Sequence, residues 1–114
     1  MFVDDRTRLL HILDASRKAC TFASTHTRDA LDTNKMLYHA IKDCLITVGE
    51  AASNVSPDLR GAHPEIDWRG LISLRNRLLR DYYILDADRV WNTVVNSLPG
   101  LIAQMEPLVA SMAE

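Results

Sequence analysis

Between Arg69 and Tyr83 the chain gathers most of the side chains that could do chemistry: Arg69, Arg75, Asn76, Arg77, Arg80, Tyr82 and Tyr83. On a helix stepping ~100° per residue, Leu71, Leu74, Leu78 and Tyr82 lie to one side of Arg75 and Ile72, Leu79 and Tyr83 to the other. Arg75 therefore sits in the middle of an apolar face. A guanidinium there is costly unless it is paired or placed at a wet interface. Two readings are open. Arg75 snorkels or caps a neighbouring helix end, or it faces a second subunit or a phosphate, whose oxygens its planar fork of donors matches. Asn76, Arg80 and Tyr83 follow the adjacent edge at i, i+4 and i+7. Tyr82 lies within about 20° of Arg75, so the two stack one above the other. Arg69 and Arg77 read as a solvated face.

The remaining candidates are weaker. His39 and Asp43 share one helix face, with Glu50 further along it. Two or three such ligands without a defined set do not make a metal site, and a solvated or dimer-facing stripe accounts for them better. No metal is expected. Cys20 and Cys44 fall on apolar stripes and read as core. His63, beside Pro64, reads as a cap for the helix that follows. Tyr38 and Phe22 read as core or interface, and His11 and His26 carry no pattern. No glycine-rich phosphate loop is present, and no cofactor is implied.

The composition bounds what can position these groups. One hundred and fourteen residues, 47% of them hydrophobic, suit one globular domain spanning 1–114. Thirteen basic against fifteen acidic side chains give a net charge of -2. That excludes holding nucleic acid by global positive charge, while leaving room for a local basic patch. Two cysteines cannot build a disulfide framework or a four-cysteine zinc site, and they suit a reducing cytoplasm. The start, Met1 to Arg6, lacks a secretory pattern, and no stretch approaches the ~18 apolar residues of a membrane span. The expectation is a soluble, cytoplasmic protein.

Apolar residues recur at three and four, and four glycines with four prolines are few for an all-β chain. A first helix is expected over about 4–24, and a short turn or helix near Ala30-Leu31. A second helix runs over about 33–55 with Asp32 as N-cap. Gly49 inside it costs about 1 kcal/mol against alanine and suggests that another backbone passes close. Residues 56–64, with Pro57, Gly61 and Pro64, read as the clearest loop. A third helix spans about 67–83. A fourth begins at Asp86 as N-cap and ends before Pro99, and a fifth follows from about Gly100, kinked or shortened by Pro107. The sum is an all-α, antiparallel up-and-down bundle of four to five helices.

The run Leu74-Arg75-Asn76-Arg77-Leu78-Leu79-Arg80-Asp81-Tyr82-Tyr83 resembles the signature of HepT-like proteins of the HEPN superfamily: Arg-Asn, three residues, His, one residue, Tyr. The flanks resemble the family as well. Gly49-Glu50-Ala51-Ala52 matches its Gly-Glu-Ala-Ala. His63-Pro64-Glu65-Ile66 with Trp68 matches its His-Pro-Glu-Ile-x-Trp. Asp86 to Trp91 with Leu98-Pro99 matches its Asp-x-x-x-Val-Trp and Leu-Pro. The resemblance implies a HEPN-type homodimer in which paired third helices form a composite cleft. It implies a metal-independent endoribonuclease, the toxin of a toxin–antitoxin pair, acting on RNA. Its antitoxin would be a minimal nucleotidyltransferase of the MntA type, which blocks the toxin by transferring AMP to the motif tyrosine. That tyrosine maps to Tyr82, with Tyr83 as fallback; the motif arginine maps to Arg75 and the polar residue after it to Asn76.

One position departs from the pattern. Arg80 stands where the family has its histidine, and Asp81 replaces the glycine usual after it. Metal-free RNA cleavage needs a base for the 2′-OH proton and an acid for the leaving oxygen. Histidine serves near neutral pH; arginine, with a pKa above ~12, does not. Two readings stay open: a histidine replaced so that a toxic protein can be expressed, favoured by the near-complete match elsewhere, or a natural member that binds without cutting. In the second, the chain is a non-catalytic HEPN dimer holding RNA or the nucleotidyltransferase. A structural helical adaptor is a third class.

Overall fold

A computed structural model describes residues 4–80 and 87–112. Tyr82, Tyr83 and Asp86 lie outside the described residues. Every regular element among the described residues is helical. The helices are α1 (Asp5–Ala23), α2 (Ala30–Thr33), α3 (Lys35–Asn54), α4 (Pro57–Ala62), α5 (Trp68–Arg80), α6 (Ala87–Asn92) and α7 (Leu98–Ser111), with a π-helical turn at Thr93–Ser97 joining the last two. No helix among them is long and apolar enough to cross a membrane.

Local chemistry accounts for the boundaries. Asp4 Oδ1 accepts from Thr7 N at 2.8 Å and starts α1. Asn34, not Asp32, caps α3: its Oδ1 accepts from Leu37 N at 3.0 Å. Asp32 already lies inside α2, whereas Asn34 has the extended backbone a cap requires. Asp32 instead pairs with Arg28, which also reaches Asp88 and ties this corner to α6. The expected loop at 56–64 contains α4. Ser56 Oγ accepts from Leu59 N, and Pro57 occupies the first turn, where its missing N–H costs nothing. His63 closes α4 rather than capping α5. That role falls to Asp67, whose Oδ1 accepts from Gly70 N at 3.0 Å.

The expected break before Pro99 is absent. In a regular α-helix the Pro99 ring would meet the carbonyl four residues back. The wider π turn immediately before it provides the room, so α6 and α7 form one continuous run. Pro107 does not end α7 either. The carbonyl it leaves unpaired belongs to Ala103, which is exposed and can bond to water.

Four rods result, each antiparallel to its neighbour. Asp5 at the start of α1 accepts from Ser56 N and Oγ just past the end of α3, at 2.9 and 2.6 Å. Cys20 Sγ donates to Val94 O, and Arg17 pairs with Glu106, so α7 runs back along α1. Gly49 near the end of α3 lies against the first half of α5. The core is one cluster, with Leu9, Ile12, Tyr38, Ile41, Val48, Leu78, Val90, Leu98 and Met105 fully buried.

The α3–α5 crossing is unusually close. A Cβ built on Gly49 would stand 2.2 Å from Arg75 Cβ and 2.7 Å from the Leu71 carbonyl oxygen. Neither obstacle can swing away, because one is backbone and the other is the root of a side chain. Gly49→Ala should therefore destabilise by about 1–3 kcal/mol in urea unfolding, despite alanine's helix-propensity advantage of about 1 kcal/mol. Gly61→Ala in α4, where nothing lies within 4 Å, should be neutral or stabilising.

Candidate functional site

Three separate environments surround α5. Leu74 and Leu78 enter the core, and Leu71 lies half-buried against it. On the other flank Ile72 is half-buried and Leu79 is 58% exposed. Among the described residues of the apolar face centred on Arg75, Leu71, Ile72, Leu74 and Leu78 pack on the core and Leu79 is left exposed. Arg75 stands at the margin between core and surface, with its side chain 15% exposed.

Arg75 is held by Glu50 of α3 through an Nη1–Oε2 ion pair. Glu50 follows the glycine that lets α5 approach, so contact and pairing come from adjacent residues. The sequence reading placed Glu50 on the face of His39 and Asp43 and missed this partnership. A signal was available: Gly49 marked the close approach, and the next residue was acidic. Arg75 Nε is buried without a hydrogen-bond partner among the described residues.

Asn76 and Arg80 point elsewhere. They line a cleft of about 900 Å³ with Arg69, Ile72 and Ser73 of α5, Arg60 and Gly61 of α4, and the 64–68 segment. The motif is therefore divided within one chain: Arg75 turns toward α3, while Asn76 and Arg80 face the cleft. Tyr82 and Tyr83 are not among the described residues. Arg69 is exposed, as the sequence leads one to expect, and it lines this cleft together with Arg60, which α4 supplies where the sequence suggests a loop.

The cleft also contains two carboxylates, and both are engaged. Asp67 caps α5. Glu65 is held below the usual carboxylate range by its own backbone N–H and by the His63 ring, whose Nδ1 lies 3.1 Å away. Trp68 is 7% exposed, and its indole N–H donates to His63 O at 3.0 Å. It braces the wall instead of offering a stacking face.

The other candidates do not assemble. His39 and Asp43 are exposed on α3, and no group of three His, Cys, Asp or Glu side chains converges among the described residues. Burial pushes both cysteine thiols up, which keeps them protonated and unreactive. Tyr38 belongs to the core, its ring set edge-on to His39, while Phe22 is 39% exposed.

Glu50→Gln should cost about 1–2 kcal/mol, because it leaves a mostly buried guanidinium without its counter-charge. Urea unfolding of Glu50→Gln and Arg75→Gln, singly and together, checks this. Coupling between the two sites of at least about 0.5 kcal/mol is the expected outcome.

Comparison with known proteins bears on the whole chain. A protein named "Putative RNase MJ0127" from Methanocaldococcus jannaschii is 27% identical over 106 residues, covering 93% of this chain and 88% of that one. A "Probable ribonuclease HepT" from Thermococcus cleftensis is 33% identical over 75 residues, covering 66% and 68%. "Putative RNase MJ0125", also from Methanocaldococcus jannaschii, is 25% identical over 111 residues, covering 97% and 96%. No solved structure matches. The family model described as Ribonuclease HepT-like matches residues 12–108, from the middle of α1 to near the end of α7, and the chain belongs to the HepT-like ribonuclease family.

Proposed function

We propose that this chain is the ribonuclease component of a cytoplasmic toxin–antitoxin pair, a homodimer whose α5 helices meet to form a composite RNA cleft. Its antitoxin is a minimal nucleotidyltransferase of the MntA type, which silences the cleft by placing AMP on Tyr82. The observation that carries the reading is the division of the motif on α5: Arg75 is anchored on Glu50 at the helix margin, and Asn76 and Arg80 line a cleft with two further arginines. A second copy laid against α5 at the exposed Leu79 would bury it and bring two such clefts near the twofold axis.

The chemistry assigns each residue a part. Asn76 binds and orients the phosphodiester, and Arg75, held on Glu50 outside the cleft of its own chain, contributes at the composite site where the two α5 helices meet. The side chain at position 80 takes the 2′-OH proton, so that the 2′-oxygen attacks phosphorus and the 5′-oxygen leaves with a proton. Arg80 holds phosphate but cannot accept that proton. The chain as written therefore binds RNA without cutting it, both where a histidine has been replaced at this position and where the chain is a dimer that grips RNA or its nucleotidyltransferase without turnover. AMP on Tyr82, two residues after Arg80 in the sequence, would add a negative phosphodiester that an arginine can pair with, blocking the cleft by bulk and by charge.

Arg80→His should create RNA cleavage that persists in EDTA and makes the protein toxic to its host. Cleavage by the unaltered chain in EDTA would remove position 80 from the role of base. Incubation with a cognate nucleotidyltransferase, ATP and magnesium should add one or more AMP units by intact mass. Tyr82→Phe should abolish that gain; unchanged labelling would move the acceptor elsewhere, first to Tyr83.

A further inference from the structure

The cleft beside α5 extends well beyond the motif. Arg69 from the first turn of α5 and Arg60 from α4 line it together with Asn76 and Arg80. At ~100° and ~1.5 Å per residue, Arg69, Asn76 and Arg80 fall within about 40° of one another, and Arg69 stands roughly 16 Å along the helix from Arg80. They form a row on one face, and α4 sets Arg60 across from it. None of the three arginines forms an ion pair or side-chain hydrogen bond with a described residue. Arg60 Nε is buried without a partner.

Several other basic side chains are paired. Arg17 pairs with Glu106, Lys18 with Asp14, Arg28 with Asp32 and Asp88, and Arg75 with Glu50. Three guanidinium groups without an ion-pair partner among the described residues thus line one concave place, together with the carboxylates of Glu65 and Asp67, on a protein of net charge -2. A row of guanidinium forks suits a ligand that repeats an anion at intervals, as a sugar–phosphate backbone does.

We propose that this cleft is a track for the backbone of single-stranded RNA, in which Arg69 and Arg60 bind phosphates to one side of the bond set at Arg80. The inference rests on the ribonuclease reading and assigns the extent and kind of RNA gripped. A cleft of about 900 Å³ is at the large end of small-ligand pockets, room for a short stretch of one strand, whereas a duplex would lie across its mouth. With Trp68 sealed into the wall and arginines facing phosphates, the grip is tolerant of base sequence. Arg60 and Arg69 are positioning residues; the scissile bond lies at the other end of the row.

The test is fluorescence anisotropy of a labelled single-stranded RNA of about twelve nucleotides, titrated with the unaltered chain at several KCl concentrations. Each phosphate contact contributes about 0.7 to the slope of log affinity against log salt for a single strand. Arg69→Gln and Arg60→Gln should each lower the slope by about that much. The double variant should lower it by about 1.4, with affinity falling by a similar factor for mixed and homopolymeric RNA. Arg60→Lys should retain the slope even where Arg60→Gln disturbs α4. Arg17→Gln, which removes an equal charge elsewhere, should leave it unchanged. A duplex of the same length should compete poorly. An unchanged slope in the double variant overturns the track, as does equal competition by duplex. Absence of RNA binding also overturns it and assigns these arginines to an acidic protein surface. The ribonuclease reading is checked separately in the Arg80→His background. Cleavage there with KM unaffected by Arg69→Gln removes the track alone; loss of both cleavage and binding removes both.

Discussion

The contact between Gly49 of α3 and the first half of α5 is the constraint on which the rest of the site depends. With no side chain at Gly49, the Leu71 carbonyl and the Arg75 Cβ come within distances that any larger residue would forbid. That approach sets the rotation of α5 about its own axis. Once Arg75 is pressed against Gly49, Glu50 is the carboxylate in reach. Leu74 and Leu78 must then point into the core, and Asn76 and Arg80 must point away from it. A rotation of α5 by even one residue position would put an arginine into the core and break the ion pair. Helix packing and site geometry are here one arrangement.

Charge is distributed by the same economy. The chain is slightly acidic overall, yet many of its carboxylates act locally. Asp4 and Asp67 cap helices, Asp5 ties α1 to the start of α4, and Glu50, Asp32, Asp88 and Glu106 neutralise particular arginines. Arg60, Arg69 and Arg80 on α4 and α5 have no such partner among the described residues and line one cleft with Glu65 and Asp67. A local basic cleft can therefore exist on an acidic protein, and an anionic polymer can be bound at one place without a general attraction to the surface.

In the proposed ribonuclease, Arg80 separates binding from chemistry. Its position belongs to the cleft, where a cation is useful for holding phosphate. A guanidinium binds the anion throughout the pH range in which a protein is folded, but it never accepts a proton there. A histidine in that place would be a weaker phosphate ligand at neutral pH and a competent base. The two residue types fit one site and divide its functions between them.

The sequence by itself determined the helices, the family resemblance and the residues that carry it. Apolar spacing of three and four is a local property of the chain, so α1, α3 and α5 were legible to within a few residues, and Gly49 announced a close neighbour. Local chemistry misled where two signals competed: Asp32 looked like a cap until α2 absorbed it, and Pro57 and Pro99 looked like breaks but sit in a first turn and beside a π turn. Only the tertiary structure decided which side of α5 is buried, that Glu50 holds Arg75, and that Arg60 joins Arg69, Asn76 and Arg80 in one cleft. These facts depend on how α3, α4 and α5 cross. A helical period states which residues share a face; it does not state what that face meets, because the partner lies elsewhere in the chain and only packing brings it near.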